Sequence, residues 1–234
     1  TIETVIYESR PGFPVTANLY LPHRRRGKRP AVLGACGHSG AGKAEPLYQA
    51  FCQNLARQGY VVLIYDPISQ GERLQYPVRE GLAQPKGCCQ EHNMMGNQVA
   101  LLGGFFGLWR AWDGIRGLDY LLTRPEVDPE RVGVTGNSGG GTLTTYLTAL
   151  DDRFTMAAPS CFVTRYISNL ENELPADSEQ IPPGIVGAGL DMADFFVAHL
   201  PRPTILLGQN DDFFDRRGLE QTFEELRRLY AIVG

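Results

Sequence analysis

The sequence predicts a single α/β domain with a mostly parallel central sheet and helices on both faces. Strand-patterned and helix-patterned segments alternate along all 234 residues. Residues 60–65 are continuously apolar, as expected for a parallel strand that is covered on both faces. No internal repeat or low-complexity linker divides the chain. Residues 1–234 are therefore expected to share one hydrophobic core.

The first half of the chain supplies four predicted strands and two predicted helices. Two β-patterned segments come first, at residues 4–8 and 15–20, and a run of small apolar residues at 31–36 predicts a buried strand. A helix follows with apolar positions at 48, 51, 52 and 55, and Gly59 ends it before the strand at 60–65. After the segment 66–105, apolar residues at 3–4 spacing from Leu108 to Leu122 predict a long helix.

The second half continues the alternation. A strand is predicted at 132–135, a helix at 139–150, a strand at 154–160, a strand at 204–207 and a helix at 219–230. Residues 66–105 and 162–202 lack a clean period and are too long for plain connections. They are predicted to be elaborations near the functional site, with one helix at 191–200 in the second.

Composition excludes several classes of function. The formal charge is −4, and basic residues cluster only in the short run at residues 24–28, so no nucleic-acid partner is expected. No apolar run approaches the ~20 residues that span a bilayer. The five cysteines have no paired zinc-type spacing, so no structural metal site is predicted. The composition does not indicate a cellular compartment.

One turn carries the pattern of a catalytic nucleophile. Gly136-Asn137-Ser138-Gly139-Gly140 lies between a predicted strand and a predicted helix. Glycines two positions before and after the serine let strand and helix cross closely, and the turn holds Ser138 Oγ clear of the sheet at the positive end of the helix. We expect Ser138 to be the nucleophile and the backbone N–H of Gly139 to donate to the oxyanion.

A second oxyanion donor is expected from the loop after the third strand. Cys36-Gly37-His38-Ser39-Gly40 occupies that position, and we assign the donor to the backbone N–H of His38. The side chain of His38 is expected to orient its own turn.

The catalytic acid is expected after a later strand. Asp211 follows the predicted strand at 204–207, three residues after Gly208, where a carboxylate can hold the tautomer of a catalytic histidine. Asp212 and Asp215 are rivals, and either could instead cap the next helix.

The general base is harder to place. Where this serine turn occurs, the histidine usually follows the acid in the chain, and the histidines here are His23, His38, His92 and His199. None follows Asp211. The expectation is that the catalytic histidine, its strand and a final helix lie beyond Gly234. A catalytically silent domain is the competing interpretation.

Several stretches resemble a known family. They are Leu19-Tyr20-Leu21-Pro22, Gly37-His38-Ser39, Gly42-Lys43, Tyr65-Asp66-Pro67, Gln70-Gly71-Glu72-Arg73, Glu91-His92, Trp112-Asp113, Asp119-Tyr120-Leu121, residues 127–133 and the serine turn. On these residues the chain resembles the acetyl-xylan-esterase-like branch of the α/β-hydrolases, which is related to the dienelactone-hydrolase and prolyl-oligopeptidase types. The resemblance covers nearly the whole chain.

The resemblance implies an α/β-hydrolase fold and a carboxylester hydrolase without metal or organic cofactor. It also implies an acyl-enzyme on Ser138, with Asp211 as the acid, and an exported protein acting on acylated or methyl-esterified carbohydrate. Glu91 and His92 could line the pocket or form a buried structural pair. A prolyl-oligopeptidase-type peptidase and a silent binding domain are the alternatives.

Overall fold

The computed structural model describes residues 1–23, 27–76, 88–172 and 176–233. Its strands are β1 (Ile2–Arg10), β2 (Phe13–Tyr20), β3 (Arg29–Ala35), β4 (Val61–Tyr65), β5 (Val127–Asn137) and β6 (Met156–Ser160). They form one sheet in the order β1-β2-β4-β3-β5-β6. Strands β3 to β6 are parallel, whereas β1 and β2 run antiparallel at one edge. The mostly parallel sheet predicted from the sequence is confirmed.

Helices cover both faces of this sheet. Those in the described residues are α1 (Pro46–Arg57), α2 (Cys88–Leu101), α3 (Phe106–Thr123), α4 (Gly139–Leu150), α5 (Tyr166–Glu171), α6 (Met192–Val197) and α7 (Arg216–Val233). Helices α3 and α4 pack on one face and α1 on the other. Helices α5 to α7 share a separate apolar cluster beyond β6. None of the helices described is long and apolar enough to cross a membrane.

Strand β4 shows why the run at 60–65 is apolar throughout. Val61, Leu63 and Tyr65 pack into the cluster that contains α3 and α4, while Val62 and Ile64 pack against α1. All five side chains are buried because successive residues of a strand point to opposite faces and both faces carry helices.

The crossing from β5 to α4 depends on glycine. A Cβ atom on Gly136 or on Gly140 would overlap the carbonyl oxygen of Ala35 in β3, which is backbone and cannot move aside. The helix can begin directly over the sheet only because both positions lack a side chain. This close approach fixes the position of the residue between them, Ser138.

We expect Gly140→Ala to destabilise the protein by about 1–3 kcal/mol, because the added methyl group must displace backbone. The matched control is Gly133→Ala in β5, where an added Cβ would meet only ordinary contacts with Met156. Urea unfolding of both variants measures the difference. Equal stability of the two variants would contradict this account of the crossing.

Two helices were not predicted, α2 and α5. The buried residues of α2 are Cys88, Glu91, His92 and Gly96, which follow helical spacing but are mostly polar or small. A helix that buries polar groups shows no hydrophobic period, so the pattern did not reveal it. Residues 24–26 of the basic run, 77–87 of the first elaboration and 173–175 of the second lie outside the described residues.

The predicted strand at 204–207 is only partly formed. Thr204 and Leu207 each make an isolated parallel bridge, to Ala157 and Ser160 of β6. The segment therefore runs beside β6 without forming a continuous ladder. It leads into the loop that contains Asp211, and this loop begins at the same edge of the sheet as the carboxyl end of β6.

Candidate active site

Ser138 occupies a strained turn between β5 and α4. Its φ is 57° and its ψ is −121°, a conformation that costs a non-glycine residue about 1–3 kcal/mol. The backbone N–H of Ser138 donates to the carbonyl oxygen of Ser160 at 2.9 Å, which holds the turn against the end of β6. Ser138 lines a cavity of about 430 Å³ at this edge of the sheet. The strained strand-to-helix turn expected from the glycine spacing is present.

The imidazole of His38 lies directly against the first turn of α4. A Cβ atom on Gly139 would stand 2.7 Å from both Nδ1 and Cε1 of His38. His38 and Ser138 line the same cavity. The described residues show no hydrogen bond between these two side chains, so the structure brings them into one site without joining them.

The loop that carries His38 is fixed from both sides. Tyr48 Oη accepts a hydrogen bond from the N–H of Gly37 at 2.6 Å, and Gln70 Nε2 donates to the carbonyl oxygens of Gly37 and Ser39 at 2.7 and 3.0 Å. Within the described residues, the N–H of His38 has no acceptor. The N–H of Gly139 belongs to the first turn of α4, where amides lack partners within the helix. Two backbone N–H groups that lack an acceptor in the described part of the chain thus belong to His38, which lines the cavity with Ser138, and to Gly139, the next residue in the chain.

The side chain of His38 does not orient its own turn, and that expectation was wrong. Its Nε2 lies 2.9 Å from Asp177 Oδ2, 3.2 Å from Glu179 Oε1 and 3.1 Å from His92 Nδ1. These partners come from α2 and from the second elaboration. The ring instead joins the two elaborations to the edge of the sheet, because the carboxylates attract the imidazole across the site.

His38, His92, Asp177 and Glu179 form a group that we call the His–carboxylate cluster. His92 Nε2 lies 2.9 Å from the carbonyl oxygen of Ile68, and Nδ1 lies 3.1 Å from Asp177 Oδ2. His38 alone of the four is partly exposed; the others are buried. The guanidinium of Arg110, which is also fully buried, pairs with Glu179.

Burial determines the charge states within the cluster. Burial, reinforced by the charge of Arg110, lowers the pKa of His92 to about 4 although Asp177 opposes that shift. Burial would raise the pKa of Asp177, but the imidazoles of His38 and His92 beside it hold it well below its ordinary value. A neutral His92 that already donates from Nε2 to Ile68 has no proton for Asp177. We therefore attribute the low pKa of Asp177 to His38.

Neither Glu91 nor His92, the two residues of α2 that were expected to line the pocket or to form a buried pair, lines the cavity. Glu91 is buried and its Oε2 accepts from the N–H of Gln75 at 3.3 Å, while His92 belongs to the His–carboxylate cluster. The described residues show no hydrogen bond between Glu91 and His92, so they are two separate buried groups.

The three aspartates after residue 208 differ in what they bind. Asp215 accepts from Asn172 Nδ2 at 2.8 Å and from the N–H of Arg217, which caps α7. Asp212 accepts from the N–H groups of Gln209 and Phe214 in its own turn. Asp211 is exposed, and the described residues give its carboxylate no hydrogen bond. Of the three aspartates, Asp211 is therefore the one whose carboxylate makes no hydrogen bond within its own loop or helix cap.

The other two histidines lie away from Ser138. His199 is fully buried beyond α6, and it does not line the cavity. His23 lines a second, larger cavity of about 600 Å³. Thr1 and Gly59 also line it, and they come just before β1 and β4, so this cavity lies at the edge of the sheet where those strands begin. We assign the chemistry to the smaller cavity because only it contains Ser138.

Asp177, Glu179 and Arg110 were missed by the sequence analysis. They stand far apart in the chain, and none belongs to a motif with fixed spacing. The one available signal was the pair of carboxylates within the irregular second elaboration, next to Gln180. An acidic pair of that kind is usually solvated, so it could not be distinguished from a surface loop.

A protein-family comparison identifies the chain. The model of the acetyl xylan esterase family (AXE1) matches residues 2–174, well over half of the sequence. This chain belongs to the acetyl xylan esterase family. The motifs quoted from residues 19–141 fall within the matched range, and family membership confirms the resemblance based on them.

Individual proteins that are similar to this esterase-family chain support the same assignment. YtaP of Bacillus subtilis (strain 168) is 26% identical over 251 residues, covering 100% of this chain and 77% of YtaP. The crystal structure of BF1801 from Bacteroides fragilis NCTC 9343 has a TM-score of 0.79 at 20% identity, covering 100% of this chain and 63% of that one. Methylesterase BT1017 has a TM-score of 0.71 at 25% identity, covering 98% of this chain and 46% of that one. The α/β-hydrolase fold is confirmed.

Proposed function

We propose that this esterase-family protein is a serine carboxylesterase that forms an acyl-enzyme on Ser138. The observation that carries the proposal is the strained turn of Ser138 at a cavity that His38 also lines. The N–H groups of His38 and Gly139 are the proposed oxyanion donors. A nucleophile held by backbone strain next to two fixed donors is the arrangement that acyl transfer requires.

The reaction follows from that arrangement. Ser138 Oγ attacks the ester carbonyl while a general base takes its proton, and the carbonyl oxygen becomes an oxyanion held by the two backbone N–H groups. The C–O bond to the alcohol breaks as the alcohol oxygen receives the proton, which leaves the acyl group on Ser138. Water then attacks the acyl-enzyme with the same proton transfers and releases the acid.

The general base has two candidates. His38 is the one histidine of this chain at the cavity, and a histidine of the whole protein outside these 234 residues is the other. His38→Gln separates them. If His38 is the base, hydrolysis falls by several orders of magnitude; if the ring only positions its loop, the loss is far smaller and the pH profile keeps its shape.

The cavity suits an ester of a carbohydrate. Its size of about 430 Å³ is within the ordinary range for small ligands. Phe213 and Phe214 offer apolar rings, while Asn93, Gln180 and Asp177 offer polar groups for hydroxyls. The family membership and the methylesterase BT1017 support acylated or methyl-esterified sugars as the substrate class.

A substrate panel tests the proposal. We expect the whole protein to hydrolyse acetylated xylan fragments, methyl-esterified uronates and aryl acetates, and to leave proline-containing peptides intact. Peptide cleavage without ester cleavage would replace the esterase with a prolyl-oligopeptidase-type peptidase. Binding of the same fragments without turnover would indicate a silent binding domain.

Asp211 is proposed as the catalytic acid, and Asp211→Asn tests it. Because an amide cannot stabilise the imidazolium or fix its tautomer, kcat is expected to fall on the order of 10⁴-fold. Asp212→Asn serves as the matched control, since Asp212 bonds only to its own turn. A larger loss for Asp212→Asn than for Asp211→Asn would reassign the acid.

A further inference from the structure

We propose that the His–carboxylate cluster is a binding site for one divalent transition-metal ion of the zinc type, beside the oxyanion loop. One ligand atom from each of the four residues lies within 4.8 Å of the other three. The short contacts of His38 Nε2 with His92 Nδ1, Asp177 Oδ2 and Glu179 Oε1 make these atoms the proposed ligands. Two imidazoles and two carboxylates are a donor set that suits Zn²⁺ and its neighbours in the first transition row. The site goes beyond the esterase proposal, and its test does not depend on ester turnover.

Four of the six distances among these atoms are slightly shorter than those of a tetrahedral site, and the other two are bounded only by 4.8 Å. Four ligand atoms about 2.0–2.2 Å from Zn²⁺ are separated from one another by roughly 3.3–3.6 Å. In the cluster, His38 Nε2 stands 3.1 Å from His92 Nδ1, 2.9 Å from Asp177 Oδ2 and 3.2 Å from Glu179 Oε1. A small outward movement of each side chain makes room for the ion.

The count of protons favours a cation over a network of hydrogen bonds. The carbonyl oxygen of Ile68 can only accept, so His92 Nε2 donates to it and His92 Nδ1 is the ring nitrogen that faces the cluster. His38 Nε2, which can carry one N–H, lies within 3.2 Å of His92 Nδ1, Asp177 Oδ2 and Glu179 Oε1. A single proton cannot satisfy three acceptors, whereas one cation at their centre does.

The ligand atoms also have the outer partners that metal ligands usually have. His92 donates the N–H of its other ring nitrogen, Nε2, to the carbonyl oxygen of Ile68, which fixes the tautomer. Arg110 pairs with Glu179 Oε2 and leaves Oε1 for the centre. Arg110 repels a cation, but it also lowers the net charge that the two carboxylates would otherwise carry in a buried site.

The position of the site indicates what the ion would do. His38 carries both the proposed ligand Nε2 and the backbone N–H next to Ser138. The ion would join the oxyanion loop to α2 and to the second elaboration at one point. Its role would be to position His38, which could not also serve as the general base with Nε2 bound to the ion, while Ser138 remains the nucleophile.

Metal titration of the whole protein tests the proposal. After removal of bound metal with a chelator, we expect Co²⁺ to bind once per chain with the visible absorption of a four-coordinate site, and Zn²⁺ to displace it. Asp177→Asn and His92→Gln are expected to weaken Zn²⁺ binding by about 100-fold or more, at or above the losses seen for outer partners of metal sites. His23→Gln is the matched control, because His23 is exposed and outside the cluster.

Two results would overturn the site. One is the absence of saturable Co²⁺ or Zn²⁺ binding by the chelator-treated wild type. The other is wild-type affinity and stoichiometry in both cluster variants, which would place the ion elsewhere. Circular dichroism shows whether each variant is folded. Asp177→Asn keeps the shape of the side chain and decides the question if His92→Gln does not fold.

Discussion

Ser138→Ala is expected to abolish ester hydrolysis by the whole protein. Loss of the nucleophile in a serine protease lowers kcat on the order of 10⁶-fold, and the same loss is expected here if Ser138 forms the acyl-enzyme. The variant should remain folded, since Ser138 Oγ makes no hydrogen bond in the described residues and alanine is only one atom smaller. Steady-state kinetics on an aryl acetate, with the thermal unfolding midpoint, measure both effects.

The matched control for this variant is Ser9→Ala. Ser9 lies in β1, and its buried Oγ has no hydrogen-bond partner in the part of the chain that is described. Its loss should leave kcat unchanged. Undiminished turnover in Ser138→Ala would remove the acyl-enzyme mechanism, whereas equal losses in both variants would point to a general effect on folding.

Arg110→Met is expected to destabilise the fold by about 3–5 kcal/mol. Arg110 is fully buried in α3 and pairs with Glu179, so removal of the guanidinium leaves a buried carboxylate without its arginine partner. The double variant Arg110→Met, Glu179→Leu should recover most of that loss, because no buried charge is then left alone. Chemical denaturation of Arg110→Met, Glu179→Leu and the double variant, compared with wild type, gives the free energies of unfolding for a double-mutant cycle.

Arg116→Met provides the comparison on the same helix. Arg116 pairs with Asp119 at the surface, and an exposed ion pair contributes about 0–1 kcal/mol. If Arg110→Met is no more destabilising than Arg116→Met, the pair with Glu179 does not hold the second elaboration to α3.

The sequence predicted the parts of the fold that follow a hydrophobic period. Helix α4 was predicted with its observed bounds, and β4 to within one residue, because each is a mostly apolar segment with a glycine at or just before its start, Gly139 and Gly59. Helix α2 was missed, since its buried side chains include Glu91 and His92 in place of an apolar stripe. A hydrophobic period in the sequence reveals buried apolar side chains. It does not reveal buried polar or charged side chains whose partners come from distant parts of the chain.

The same limit applies to the site. The turn at Ser138 was predictable because its geometry is encoded by neighbouring residues, and Gly136 and Gly140 are needed wherever a strand and helix cross this closely. The contacts of His38 with Asp177 and Glu179 join residues about 140 positions apart, and no local pattern records them. The assignment of Asp211 as acid stays a prediction, supported by its uncommitted carboxylate.

The central claim is that Ser138 is a nucleophile activated within a hydrolase site. Covalent labelling tests it most directly: the whole protein is treated with a fluorophosphonate, digested, and its peptides are sequenced by mass spectrometry. We expect one phosphonyl group per chain, attached to Ser138, and loss of esterase activity in step with labelling. Labelling of a different residue together with loss of activity, or full activity in protein labelled at Ser138, would contradict the account.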